Sequence, residues 1–348
     1  MKKIAIFQRD FSAGGIQKSL LNLLQNIDLE NYEIDLYLFG HDNFFAKKID
    51  SRIKIEYLNR LPKFCQFIPF NLLKNKKIIS IDKQYDVAID FNGYDVETAL
   101  GALNVKADKK FILCHSDYFM RSKKDYKFFL KWYLNYRFKY RFFDKTICVS
   151  KGAEAALKIM LKNENINSFV VSNLIDTDEI VKKSKEKISM KIDQNKYNLV
   201  SVGELISAKG FDILINIMHS VVKKRQDIHL YIIGDGADKQ KLIKQVEHLK
   251  LNEYISFLGR KTSPFPYLNK MDGFVLTSRY EGQGMVVLEA KTLGLDIFVS
   301  KHLEKYLAGI KGVDGIEESL IRAKRHSKNI DYLVEYNMEI LHKWNILL

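Results

Sequence analysis

Two α/β domains, each a parallel sheet wrapped by helices, are what this sequence predicts. Short apolar runs rich in β-branched residues alternate with stretches of helical periodicity along nearly the whole chain, which is the pattern of strand, crossover and parallel strand. A chain of 348 residues exceeds one comfortable core and suits two. A stretch rich in Lys, Glu, Asp, Ser and Asn, 176–196, separates two series of similar length, as a surface connector between domains 1–175 and 197–330 would.

The first strand is 2–7. Gly14 and Gly15 follow it, and then 16–27, where Ile16, Leu20, Leu23, Leu24 and Ile27 recur at helical spacing. Further strands fall at 32–39, 87–91 and 110–114, with enough chain between them for crossover helices. A strand at 146–149 leads into helix-prone 151–161, and 169–171 closes the sheet. The second series runs as strand 198–202, helix 211–222, strand 228–233 ending in Gly234-Asp235-Gly236, and helix 239–249. Strands at 255–258, 273–277 and 295–300 complete it, and 331–348 is a last helical segment.

Composition excludes several classes. Apolar residues make up 47% and there are 4 Pro, which argues against disorder. No window holds the roughly 18 apolar residues of a spanning helix, and Gln8-Arg9-Asp10 interrupts the first apolar run, so neither membrane span nor signal peptide is expected. The expected location is the cytosol. Cys65, Cys114 and Cys148 form no Cys-x-x-Cys pair and read as buried small hydrophobes. The net charge of +14 is concentrated in residues 1–170, with 29 Lys and Arg against 19 Asp and Glu. Such a field suits an anionic membrane surface, a phosphorylated acceptor or nucleic acid; no nucleic-acid recognition module is visible, and that partner is not expected.

The most informative stretch is Ser278-Arg279-Tyr280-Glu281-Gly282-Gln283-Gly284-Met285, which follows a buried strand and opens a helix carrying Glu289. Glycines at 282 and 284 let backbone N–H groups approach a ligand, and the helix amino end favours an anion. Carboxylates accept paired hydrogen bonds from vicinal hydroxyls, so phosphate plus sugar is the ligand chemistry that fits. Taken alone, the two acids are equally compatible with an exposed loop acid and a solvated helix acid.

The spacing and neighbours of Glu281 and Glu289 resemble the Glu-x7-Glu signature of the retaining glycosyltransferases of family 4, whose GT-B fold sets two Rossmann-like domains with parallel sheets facing a central cleft. Further matches occur in order. Gly14-Gly15 stands where that family contacts the donor diphosphate, and the Gly-x-Gly-x-x-Gly of nicotinamide enzymes is absent. His115, just after a strand, matches a histidine that reaches the transferring sugar. Val202-Gly203-Glu204 with Lys209-Gly210 matches the segment that clamps the leaving diphosphate. Gly234, Gly236 and Arg260 match loops around the nucleotide base.

The resemblance implies that His115, Lys209 and Glu281 act in catalysis. It implies donor binding by Gly14, Gly15, Gly203, Glu204, Gly234, Gly236, Arg260, Gly282, Gln283, Gly284, Met285 and Glu289. The substrates would be a nucleotide-sugar, with UDP the commonest carrier, and a sugar or lipid-linked glycan acceptor. No metal or cofactor is expected, and the last helix would pack back on the first domain. Two departures stand out. Glu204 replaces the family's arginine, and a carboxylate about 4 Å from a phosphate charge costs roughly 4 kcal/mol at an effective dielectric near 20; either Glu204 points away while Lys209 remains, or another cation such as Arg260, Lys261 or Arg279 supplies the missing charge. Asp296 stands where a proline is usual. A non-catalytic GT-B subunit, with Glu204 marking a lost site, is the alternative.

Residues 121–145 hold nine basic side chains, two acids and ten aromatics, with Phe128, Trp132, Tyr136 and Tyr140 stepping by four. That aromatic face either rests on an anionic membrane, making the protein peripheral on its inner face, or packs on the first sheet while the cations are solvated.

Overall fold

The computed structural model describes residues 1–12, 14–74, 79–162 and 165–348. The chain forms two units, Met1–Leu174 with Tyr336–Leu348, and Ile175–Glu335.

Among its described residues the first unit holds seven parallel strands: β1 (Lys2–Gln8), β2 (Tyr32–Leu38), β3 (Lys54–Tyr57), β4 (Gln84–Asp90), β5 (Lys106–Cys114), β6 (Lys145–Cys148) and β7 (Ser168–Val170). Their order in the sheet is β3-β2-β1-β4-β5-β6-β7. Alternation along the strands feeds two cores, because successive side chains point to opposite faces. Ala5, Phe7, Ile112 and Cys114 face one core, and Ile4, Ile6, Phe111 and Leu113 the other. The helix Val334–Leu347 covers the second face with Ile340, Trp344 and Leu347. Strand β3 escaped sequence reading because it is a four-residue edge strand, Lys-Ile-Glu-Tyr, with no buried residue.

Phe128, Trp132, Tyr136 and Tyr140 belong to the first core, so the aromatic stripe packs inward. A step of four drifts round a helix of 3.6 residues per turn. Here Trp132–Tyr136 is a π-helical turn, closed by Arg137 N–H to the Trp132 carbonyl. The wider turn absorbs the drift.

One cation of that segment is not solvated. Lys139 is fully buried; its Nζ donates to the carbonyls of Gly93 (2.7 Å) and Asp95 (3.3 Å) and lies 3.9 Å from Asp90 Oδ2. Burial pushes Lys139 down and Asp90 up, and each partner's charge opposes the shift.

The second unit has β8 (Tyr197–Val202), β9 (Ile228–Ile233), β10 (Ile255–Gly259), β11 (Gly273–Leu276) and β12 (Asp296–Val299), all parallel, in the order β10-β9-β8-β11-β12. Leu199, Leu230, Ile232 and Val275 meet Leu214, Ile215 and Met218 of the helix Phe211–Val222 in its core. The expected connector 176–196 is not wholly extended: Thr177–Ser184 is a helix, capped by Asp176 and burying Ile180 and Val181. Asp296, the residue at the usual proline position, accepts a hydrogen bond from Tyr197 Oη at 2.6 Å.

Lys139→Met strands a buried carboxylate and two carbonyls, and is expected to destabilise the first unit by about 3–5 kcal/mol in urea unfolding. Asp90→Asn combined with Lys139→Met is expected to recover part of that loss. Equal loss in single and double variants would show that the charge pair contributes nothing of its own.

Candidate functional site

Strand order reverses direction between β1 and β4 in the first sheet and between β8 and β11 in the second. Beyond the carboxyl ends of the strands at such a switch point, loops diverge and leave a crevice where open α/β sheets take ligands. The candidate residues gather at these two places.

In the second unit the loops leaving β8 and β11 are drawn tightly together. Gly210 is left-handed (φ +66°), and a Cβ there would stand 2.1 Å from the Thr277 carbonyl oxygen, so a side chain is excluded by both conformation and space. Thr277 Oγ1 donates to the Gly210 carbonyl (2.9 Å) and Arg279 N–H to the Ala208 carbonyl (2.8 Å). This closeness puts Lys209 on Glu281. Lys209 Nζ donates to both carboxylate oxygens, at 2.8 and 2.9 Å, and Ser278 Oγ donates to Oε1 at 2.6 Å. Glu281 is buried, whereas Lys209 keeps part of its side chain at the surface. An ammonium has three N–H donors; beyond Glu281, Lys209 Nζ has no partner among the described residues.

The stem of Lys209 runs along Gly203, its Cγ 3.6 Å from where a Gly203 Cβ would be. Gly203 in turn lines a cavity of about 600 Å³ with Glu204, Gly234, Asp235, Gly236, Arg260 and Lys261. Backbone ties between Leu205 and Asp235 (2.9 Å) and between Gly234 and Gly259 (3.1 Å) hold its wall. Gly234 makes the closest approach, since a Cβ on it would lie 1.9 Å from the Gly203 carbonyl oxygen. Glu204 is exposed on this wall, and its carboxylate has no partner among the described residues. Arg260 and Lys261 share the rim. Arg279 does not: it forms a paired salt bridge with Asp212 (2.8 and 2.6 Å) and donates to the Ser207 carbonyl.

Gly282, Gln283 and Gly284 lie on the loop after β11, Gln283 buried and Gly284 capping the helix Met285–Thr292 with φ +68°. Met285 and Glu289 are half-buried on that helix, Glu289 one turn beyond its start. None of these five lines the 600 Å³ cavity.

In the first unit, Gly14 caps the helix Gly15–Asn26. A second cavity of about 620 Å³ opens at the β1/β4 switch point, lined among others by Arg9, Gly15, Asn92, Asp95, Arg121 and Lys131. Arg9 and Gln17 of its lining belong to a polar network centred on Asp10. Asp10 accepts from Arg9 Nε (2.7 Å), Ser12 Oγ (2.7 Å) and Gln17 Nε2 (2.8 Å). Burial works against ionisation, yet the hydrogen bonds from Ser12, Arg9 and Gln17 hold Asp10 down at about 2. His115 follows β5, is buried, and lies with Nε2 2.6 Å from the Phe91 carbonyl. That ring nitrogen must carry the proton, because a carbonyl only accepts, leaving Nδ1 as an acceptor. Burial pushes the imidazole down to about 4, the carbonyl opposing it, so His115 is neutral at pH 7.

The structure thus joins Lys209 directly to Glu281 and gathers Gly203, Glu204, Gly234, Gly236 and Arg260 round one cavity beside them. Sequence reasoning gave no role to Ser278, Arg9, Asp10 or Gln17. The available signal was position: Arg9, Asp10 and Ser278 lie just beyond a buried strand, and Gln17 in the first turn of the helix that follows, at places that only the strand order reveals as switch points.

The chain was compared with known proteins. A family model described as Glycosyltransferase Family 4 matches residues 13–179, and one described as Glycosyl transferases group 1 matches residues 182–306. An uncharacterized glycosyltransferase of Haemophilus influenzae is 25% identical over 299 residues, covering 85% of this chain and 80% of the relative. The N-acetylgalactosamine-N,N'-diacetylbacillosaminyl-diphospho-undecaprenol 4-alpha-N-acetylgalactosaminyltransferase of Campylobacter jejuni is 26% identical over 320 residues, covering 87% and 81%. Among solved structures, TarM superposes with a TM-score of 0.67 at 15% identity, covering 100% of this chain and 98% of that one. Anabaena HepE does so with 0.64 at 16%, covering 99% and 100%. The architecture of two doubly wound sheets is therefore GT-B. With both family models matched, the chain belongs to the group 1, family 4 glycosyltransferases and is a transferase.

Proposed function

We propose that the enzyme transfers a hexose-type sugar from a UDP-sugar to an acceptor hydroxyl with retention of configuration, in the synthesis of a surface polysaccharide or lipid-linked glycan. The observation that carries this reading is the pair Lys209–Glu281, held at the β8/β11 switch point against the wall of the 600 Å³ cavity. A diphosphate oxygen takes the third N–H of Lys209, and the nucleoside lies toward Gly234, Gly236 and Arg260. Glu281 anchors the ammonium and presents its carboxylate edge to the sugar. Gly282, Gln283, Gly284 and Met285 offer amides to the donor, and Glu289 holds the ribose; in the first unit, Gly14 and Gly15 offer amides to phosphate at the head of their helix.

In the transfer, the bond from the anomeric carbon to the diphosphate oxygen breaks while the acceptor oxygen bonds to the same face. The acceptor's hydroxyl proton passes to the departing diphosphate. Charge grows on the leaving group, so Lys209 stabilises the transition state more than the ground state. His115 accepts a sugar hydroxyl at Nδ1. No metal or cofactor enters the scheme.

Support for the donor and acceptor comes from relatives. HepE was solved with UDP-glucose, and the Campylobacter jejuni enzyme is named for a diphospho-undecaprenol-linked acceptor. In the first unit, the 620 Å³ cavity, with Arg9, Arg60, Arg121, Lys127 and Lys131 against Asp95 and Asp125 on its lining, suits an acceptor bearing phosphate.

In EDTA-containing buffer, UDP-sugar hydrolysis is expected to fall roughly 10²–10³-fold in Glu281→Gln and in Lys209→Ala. Wild-type rates in both would remove them from the chemistry. Calorimetry with UDP tests Glu204. Its exposure screens its repulsion, so Glu204→Arg is expected to tighten binding roughly tenfold; unchanged affinity would mean that the carboxylate does not face the diphosphate, and no binding by either protein would favour a scaffold role.

His115 sets a pH dependence of stability. Its folded value, about 4, lies below the ordinary 6.5, so the unfolded chain takes up a proton that the folded one refuses. Stability is full above pH 6.5 and falls as pH drops toward 4, by on the order of 3 kcal/mol in total. His115→Asn is expected to flatten that part of the stability–pH profile; an unchanged slope would assign it to other groups.

A further inference from the structure

We infer that His302 is a positioning residue for the transferase site: it fixes the peptide from which the Glu281 loop departs, and so holds that carboxylate against Lys209. The chemical consequence rests on the donor reading proposed above; the tether does not.

Ser278 is fully buried and stands just beyond β11, where the chain turns toward Glu281. A buried peptide needs a partner at each of its polar ends. The peptide between Ser278 and Arg279 finds its partners on two different loops. Its N–H, that of Arg279, donates to the Ala208 carbonyl at 2.8 Å, on the loop after β8 that also carries Lys209. Its carbonyl, that of Ser278, lies 2.9 Å from His302 Nε2, on the segment after β12. A carbonyl only accepts, so Nε2 carries the proton and donates it. A peptide plane gripped at both ends cannot turn without breaking one of these bonds. That plane fixes the backbone at Ser278, whose Oγ donates to Glu281 Oε1 at 2.6 Å. His302 therefore reaches the Lys209–Glu281 pair through a single residue.

The segment that carries His302 is itself held. His302 lies in the short helical turn Lys301–Tyr306, whose Leu303 and Tyr306 are buried. Glu304 of that turn accepts the Gly312 N–H at 2.7 Å, and Ser300 forms a β-bridge with Val313, so 300–313 closes on itself as a lobe. The lobe meets the Glu281 loop a second time, since a Cβ on Gly284 would lie 2.5 Å from Leu307 Cδ2. Both ends of 278–284 are thus braced by one segment. The imidazole of His302 is exposed and fills no core; what it contributes is one directed hydrogen bond.

UDP-glucose hydrolysis, calorimetry with UDP and hydrogen exchange on the full chain test the inference in His302→Ala and His302→Gln. A Gln amide can donate from the place of Nε2, and Ala cannot. In His302→Ala, kcat is expected to fall on the order of tenfold, because the displaced groups act on the transition state, with UDP affinity within about threefold of wild type. His302→Gln is expected to recover most of that loss. Amides of 278–284 are expected to exchange on the order of tenfold faster in His302→Ala, while those of β8 and β11 keep their rates. Should His302→Ala fail to fold, His302→Asn, too short to reach the carbonyl, takes its place. Wild-type kcat in the folded variant, equal loss in the Ala and Gln variants, or unchanged exchange across 278–284 would overturn the inference. A wild-type protein inert toward UDP-glucose would count against the donor reading alone, and the exchange rates then decide the tether.

Discussion

The approach of Gly210 to the Thr277 carbonyl is the contact on which the proposed chemistry depends. It exists because two parallel strands adjacent in the sheet, β8 and β11, send their chains off in opposite directions, and a residue without Cβ lets the departing loops touch. Once they touch, Lys209 and Glu281, distant in sequence, become a charge-assisted pair at 2.8 and 2.9 Å. Burying Glu281 would be costly without that partner and Ser278. The backbone therefore enforces the pair, and the pair lies beside the cavity because Gly203 gives the lysine stem room.

The first sheet repeats the plan with other side chains. Its switch point lies between β1 and β4, and there the ionised Asp10, fastened by Arg9, Ser12 and Gln17, fixes the loop that leads to Gly14 and Gly15. Behind the β4 loop, buried Lys139 holds the Gly93 and Asp95 carbonyls from below. A cation of the aromatic segment thus supports the wall of a cavity whose rim belongs to the same segment. Core packing and cavity shape are two uses of one stretch of chain.

Much of this was legible in the residues. Apolar runs marked eleven of the twelve strands found among the described residues, because a strand buried on both faces reads as continuous hydrophobicity; β3 fell below that signal, being a short polar edge. The loop after β11 announced itself through Gly282, Gly284 and two acids. What sequence could not supply was partnership. Lys209 and Glu281 were separately recognisable but not as a pair. Arg279 looked like a spare cation until Asp212 claimed it, and Lys139 looked solvated until the Gly93 and Asp95 carbonyls were found to hold it in the core. Glu204 remains the informative departure: the acid lies on the cavity wall, with Arg260 and Lys261 on the same rim.

A crystal structure of the protein with a non-hydrolysable UDP-sugar analogue tests the central claim most directly. The account requires a diphosphate oxygen within hydrogen-bonding distance of Lys209 Nζ, with the Lys209–Glu281 pair intact and the uracil toward Gly234 and Gly236. Density for the nucleotide elsewhere, with Lys209 contacting only Glu281, would contradict it.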